Sequence, residues 1–139
     1  MARILSIDYG KKRTGLAVTD PLQIIASGLA TVSTHELFDY LKQYVAKEPV
    51  ERIVIGEPRQ PNGQPSENLA RVQQFVNRWR NAMPEIPIEY YDERFTSVLA
   101  HQAMLDGGLR KKARQDKALV DEISATIILQ GWMEGRGNL

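Results

Sequence analysis

Apolar and polar positions alternate with a period of two early in the chain, and later segments change to a period near 3.6. Arg3 to Asp8 reads as a strand, with Leu5 and Ile7 on one face and Ile4, Ser6 and Asp8 on the other. Gly15–Thr19 and Gly28–Val32 read as two more strands, separated by the turn chemistry of Asp20-Pro21. Strands this close in sequence pair antiparallel. Ser33 and Glu36 have the S-x-x-E spacing of a capping box and predict a helix whose stripe is Leu37, Phe38, Leu41, Tyr44 and Val45, ending before Pro49. Arg52–Ile55 forms a short buried-type strand that stops at Gly56. After the polar loop EPRQPNGQPS, a second helix carries Leu69, Val72, Phe75, Val76 and Trp79 on one face and is ended by Pro84. Ile86–Tyr91 is a fifth strand running into Asp92-Glu93-Arg94. A short helix is expected from near Thr96 to Gly107-Gly108, and a last helix from about Lys117 to Met133. The order βββ-α-β-α-β-α-α predicts an α/β architecture: a mixed five-stranded sheet, three antiparallel strands followed by parallel ones, flanked by helices.

Composition narrows the class without choosing a function. A chain of 139 residues is expected to form one domain, residues 1–139, with a single substantial core. No stretch approaches the roughly 20 apolar residues of a membrane span. The only short apolar run near the N-terminus is interrupted by Asp8, which does not suit a signal peptide. Cysteine is absent, which excludes disulfides and thiolate metal sites and agrees with a cytoplasmic protein. A net charge of +1 implies that any basic surface is local.

The carboxylates carry the chemistry. Asp8 ends the first strand, Asp92 and Glu93 end the fifth, and Asp121 lies within KALVDEISATIILQGWM, the most apolar helix. A carboxylate in that setting must be solvated, paired or coordinated, because an isolated buried charge is prohibitively costly. Ser124 and Ala125, three and four residues on, share its face and are small enough to let the helix backbone come close to whatever Asp121 faces. Ligands bind at strand ends in open α/β sheets, so Asp8 and the acids of the fifth strand are plausible neighbours. Three carboxylates without cysteine or a histidine pair suit a hard cation, Mg2+ or Mn2+. Two such ions roughly 4 Å apart would hold the attacking and leaving oxygens of a phosphodiester in line. Each acid also has an ordinary reading: Asp8 accepting backbone hydrogen bonds from the Gly10 turn, Asp92-Glu93-Arg94 as a surface ion cluster, Asp121 paired with Lys117 one turn earlier. Alternation alone does not choose between Asp92 and Glu93, which point to opposite faces of a regular strand. Glu57, after the fourth strand, is a further acid that reads more simply as part of its loop.

Cations gather beside two of these acids. Lys11, Lys12 and Arg13 follow Asp8 directly. Arg110, Lys111, Lys112, Arg114 and Lys117 face only Asp116 in a loop that feeds the helix of Asp121. Charge runs are usually solvated, yet two patches flanking two candidate ligands favour a polyanion whose phosphates Lys and Arg would hold. His35 and His101 read as surface histidines, and Trp79 and Trp132 as core residues rather than stacking platforms.

The segment DYGKKRTGLAVTD resembles the D-x-G-x-x-R-x-G-x-A-x-[ST]-D opening of the YqgF/RuvX family, Holliday-junction resolvases also described as pre-16S rRNA nucleases. VIGEP, DERFTS and KALVDEISATIILQ extend the resemblance over nearly the whole chain. It implies an RNase H-like fold with Asp8, Glu93 and Asp121 as catalytic and metal-binding acids, Glu93 of D-E-R matching the family's middle acid in preference to Asp92. Arg13, Arg94 and Lys117 match motif cations. The sequence departs from the family pattern at Glu57, where an apolar residue is usual, and at Ser124, where alanine is common.

The resulting expectation is a cytoplasmic, Mg2+- or Mn2+-dependent nuclease processing the 5′ region of pre-16S rRNA, with a metal-activated water attacking phosphorus. Lys11, Lys12, Arg13, Arg94, Arg110, Lys111, Lys112, Arg114 and Lys117 would bind nucleic acid. The expected partner is RNA or branched DNA, not a membrane, and the expected state is a monomer or weak homodimer. The rivals are a four-way-junction resolvase, which needs two sites related by symmetry, and a catalytically silent nucleic-acid-binding factor. An actin-like ATPase also opens on D-x-G but needs two such lobes.

Overall fold

The computed structural model describes residues 2–58, 67–92 and 117–137. In chain order these form β1 (Arg3–Tyr9), β2 (Arg13–Thr19), β3 (Ala26–Ser33), α1 (Leu37–Lys47), β4 (Val50–Glu57), α2 (Leu69–Ala82), β5 (Ile88–Asp92) and α3 (Lys117–Gly137). The five strands make one sheet in the order β3-β2-β1-β4-β5. β1–β2 and β2–β3 are antiparallel, whereas β1–β4 and β4–β5 are parallel. The mixed sheet expected from the hydrophobic pattern is therefore the one observed. The helix expected between Thr96 and Gly108 falls outside the described residues.

Period-two alternation along β1 divides the molecule into two layers. Leu5 and Ile7 join Leu16, Ile53 and Ile55 beneath α1 and α2, whose stripes Leu37, Phe38, Leu41 and Val72, Phe75, Val76, Trp79 are buried as the sequence predicts. Ile4 points the other way and packs with Ala17, Val54 and the α3 residues Ala125, Ile128 and Leu129. The sheet is thus covered on both faces, with α3 alone among the described helices on the face shared by Ile4 and Ser6.

The strands β2, β3 and β4 run longer than expected and β5 starts later, at Ile88, and two of the differences bear on the site. The Ser33–Glu36 capping box is not made: Thr34–Glu36 form a 3-10 turn, and Ser33 gives no side-chain cap. Ser33 is held in β3 opposite Arg13. The Thr34 hydroxyl instead donates to the Gly10 carbonyl at 2.7 Å and lies 2.9 Å from that of Thr14, tying the entry of α1 to the β1–β2 turn. Glu57 belongs to β4 rather than to a loop, paired across the sheet with Asp92.

Candidate active site

Asp8 occupies the last turn of the pleat on the α3 face of β1. Its neighbour across the antiparallel ladder is Gly15, and cross-strand neighbours share a face. Gly15 has no room for a side chain, since a Cβ there would collide with the Asp121 backbone carbonyl and stand 3.0 Å from the Asp121 Cβ. The bare backbone at Gly15 is what brings the first turns of α3 flush against the sheet, beside Asp8. Two residues earlier on β1, the buried Ser6 hydroxyl donates to the Ala125 carbonyl at 2.6 Å. That bond clamps α3 one turn beyond Asp121. Ser124 and Ala125 are buried against the sheet, as small residues on the face of Asp121 should be.

Arg13 completes the arrangement. It lies two residues before Gly15 on the same face of β2, and its Nε donates to Asp121 Oδ2 at 2.8 Å. The pair spans 108 positions of sequence. Asp121 therefore takes a long-range partner from β2. Among the described residues no cation pairs with Asp8 in the same way. Burial, reinforced by the negative charge of Asp121, pushes the Asp8 carboxyl up from 3.8 to about 7.

These two acids suit a divalent cation. Both offer carboxylate oxygens, and burial beside the negative charge of Asp121 leaves the Asp8 carboxyl with a charge that a cation would offset. Among the described residues no three His, Cys, Asp or Glu side chains converge as a complete ligand set. Glu93, the third acid implied by the family motif, lies outside the described residues.

The choice of acid on β5 gains a constraint. Ile88 and Tyr90 pack with the α1/α2 layer and Tyr91 packs with the α3 layer, so alternation directs Asp92 away from Asp8 and Asp121. Glu57 is also directed away. It follows Ile53 and Ile55 at the same alternation, which places it on the α1/α2 side of β4.

Of the expected cations, Lys11 and Lys12 are exposed on the β1–β2 turn, and Lys117 is the first residue of α3. Arg94, Arg110, Lys111, Lys112 and Arg114 lie outside the described residues. Sequence reasoning missed Ser6 as a clamp and Gly15 as the point of closest approach. Arg13, Gly15 and Ala17 share one face of β2, and that spacing was a usable signal.

A mixed sheet in this strand order, with an acid ending its central strand and a second acid on the helix across that face, defines an RNase H-like architecture. The Thermus thermophilus RuvC protein, solved in complex with a Holliday junction substrate, has the same fold, with a TM-score of 0.57, 16% identity and coverage of 99% of this chain and 96% of that one. The chain belongs to the RuvX family, described as Holliday junction resolvase, whose profile matches residues 2–135. It is 68% identical over 136 residues to a Phocaeicola vulgatus protein named "Putative pre-16S rRNA nuclease", covering 98% of each. A Bacteroides thetaiotaomicron protein of the same name is 62% identical over 98% of this chain and 99% of its own length. A Flavobacterium johnsoniae protein, again of that name, is 59% identical over 98% and 99%.

Proposed function

We propose that this protein is a divalent-metal-dependent nuclease that processes the 5′ region of pre-16S rRNA in the cytoplasm, residues 1–139 acting as one RNase H-like domain. The observation that carries the proposal is the meeting of Asp8 with Asp121, two acids far apart in sequence, on one face of the sheet. A fold alone hosts many activities, so the reading rests on this pair and on relatives that share most of the sequence.

Asp8, Asp121 and, by its motif position, Glu93 would hold Mg2+ or Mn2+. The cation, when bound, supplies Lewis-acid stabilisation of the charge that develops on the scissile phosphate. Asp8 must give up its proton to bind, so its raised pKa makes cation affinity climb toward pH 7 and above. Arg13 orients the Asp121 carboxylate in the free protein. Its exposed edge, together with Lys11 and Lys12 on the adjoining turn, supplies positive charge along the approach of a phosphodiester backbone. The remaining cations, Arg94, Arg110, Lys111, Lys112, Arg114 and Lys117, extend that surface in the proposal.

Cleavage of a pre-16S 5′ fragment and of a four-way DNA junction, each in Mg2+ and Mn2+, tests the reading with Asp8→Asn alongside. RNA cut by wild type and spared by the variant is the expected result. Preferential cutting of the junction would favour the resolvase reading, which the family description also supports. Equal binding by both proteins with neither substrate cut would leave a binding factor.

A further inference from the structure

A concavity lies on the opposite side of β1 from Asp8. Tyr9 follows Asp8 and points to the α1/α2 face, where its ring packs 5.7 Å from that of Phe75. There a cavity of about 370 Å3 opens between the start of α1 and α2. This volume is at the low end for small-ligand sites and fits one nucleotide-sized unit.

Its chemistry is cationic and aromatic together. Lys11, His35, Arg71 and Arg78 line it along with Tyr9 and Phe75. Arg71, Phase-matched with Phe75 and Arg78 at helical spacings of four and seven, presents its charge on the same face of α2. The Arg78 guanidinium lies over the Phe38 ring, 3.9 Å from its centroid, which fixes a planar donor at the wall. Among the described residues no carboxylate pairs with Lys11, Arg71 or Arg78. Glu36 lies 3.8 Å from His35, and both of those side chains are exposed. The charge of Arg71 acts directly on the Tyr9 hydroxyl, opposing the upward push of burial on that group. Several cations beside a partly exposed tyrosine ring suit a phosphate with its base, the base stacking on the ring and the phosphate held by the guanidinium groups.

Position favours a nucleotide within a strand. Asp8 and Tyr9 are consecutive, so the β1–β2 turn that carries Lys11 is the rim between the paired acids and the cavity. A strand crossing that rim passes from the paired acids to the cationic cavity within a few nucleotides. We infer that this cavity binds a nucleotide of single-stranded RNA flanking the cleavage site. The inference deepens the nuclease reading and rests on it for the identity of the strand.

Binding of a fluorescein-labelled single-stranded 12-nucleotide RNA, followed by anisotropy in the cleavage-deficient Asp8→Asn background, tests the assignment. Arg71→Glu and Arg78→Glu are each expected to weaken binding about tenfold and to flatten the salt dependence by roughly 0.7 in slope, the loss of one phosphate contact. Lys47→Glu, the same charge change on an exposed α1 residue outside the cavity, is expected to weaken it less than about twofold. Arg71→Lys should restore most of the affinity, and far-ultraviolet circular dichroism should match across the set. Losses at Arg71 and Arg78 no greater than at Lys47 would overturn the assignment. Displacement of the RNA by micromolar UMP would also overturn it, by making this a free-nucleotide site. If the cavity variants behave as expected while wild type cuts no RNA, the nuclease reading fails and the cavity stands. If wild type cuts RNA normally and the variants match Lys47→Glu, the cavity alone fails.

Discussion

Asp8→Asn keeps the shape of the side chain at the end of β1 and removes its titration, which isolates what the carboxyl does to the metal-free protein. In the folded chain the Asp8 carboxyl titrates at about 7, raised first by burial and then by Asp121, against 3.8 when unperturbed. The fold therefore binds a proton that the unfolded chain has lost across that window, and stability falls as pH rises from about 4 through 7. Three pKa units correspond to an upper limit of about 4 kcal/mol. Water reaching the partly exposed carboxyl reduces the expected cost above pH 7.5 to roughly 2 kcal/mol. Urea denaturation in EDTA at pH 5 and pH 8.5 measures it. Wild type should lose about 2 kcal/mol more than Asp8→Asn between the two pH values, and the variant should be the more stable protein at pH 8.5. Saturating Mg2+ at pH 8.5 should stabilise wild type more than the variant, because the cation replaces the missing proton. Parallel pH profiles for the two proteins would refute the account of Asp8 as an acid strained by burial beside Asp121.

Gly15→Ala should cost at least about 2 kcal/mol by chemical denaturation and weaken Mg2+ binding in calorimetry, because the new Cβ meets the Asp121 carbonyl and must push α3 away. Unchanged stability would mean that α3 does not rest on β2 as described. Ser6→Ala should destabilise by about 1–2 kcal/mol in the same assay, leaving the buried Ala125 carbonyl without its hydroxyl donor. Arg13→Gln should change stability by less than about 1 kcal/mol, since the Arg13 side chain is 43% exposed, yet tighten Mg2+ binding several-fold by freeing Asp121 Oδ2. Weaker Mg2+ binding in that variant would show that Arg13 holds Asp121 in the geometry the cation needs.

Alternation and helical stripes were enough to read the sheet and two of its helices, because burial on one face enforces both periods. Leu37, Phe38, Leu41 and the stripe from Leu69 to Trp79 were legible for that reason. The local capping signal at Ser33 misled, since Thr34 found stronger use bonding across to the β1–β2 turn. Of the candidate site, Asp8 and Asp121 could be singled out from their settings: a charge at a strand end and a charge amid apolar neighbours. The partner of Asp121 could not be read from helical spacing, which offers Lys117 and is silent about Arg13. Glu57, after the expected end of the fourth strand, looked like loop, but strand pairing with β5 carries β4 through that residue.

The Arg13–Asp121 bond joins segments separated by most of the chain, and the acids meet only where that connection closes. Such distant contacts are slow to form, as the entropy of closing a long loop must be met before any contact rewards it. The layer of α1 and α2 against the sheet can be completed from residues before position 93. A chain emerging from the ribosome therefore gains a packed half first and a pair of facing acids later. An enzyme that cuts ribosomal RNA precursors would, on this ordering, stay harmless to the RNA around it until its own synthesis had moved well past the sheet.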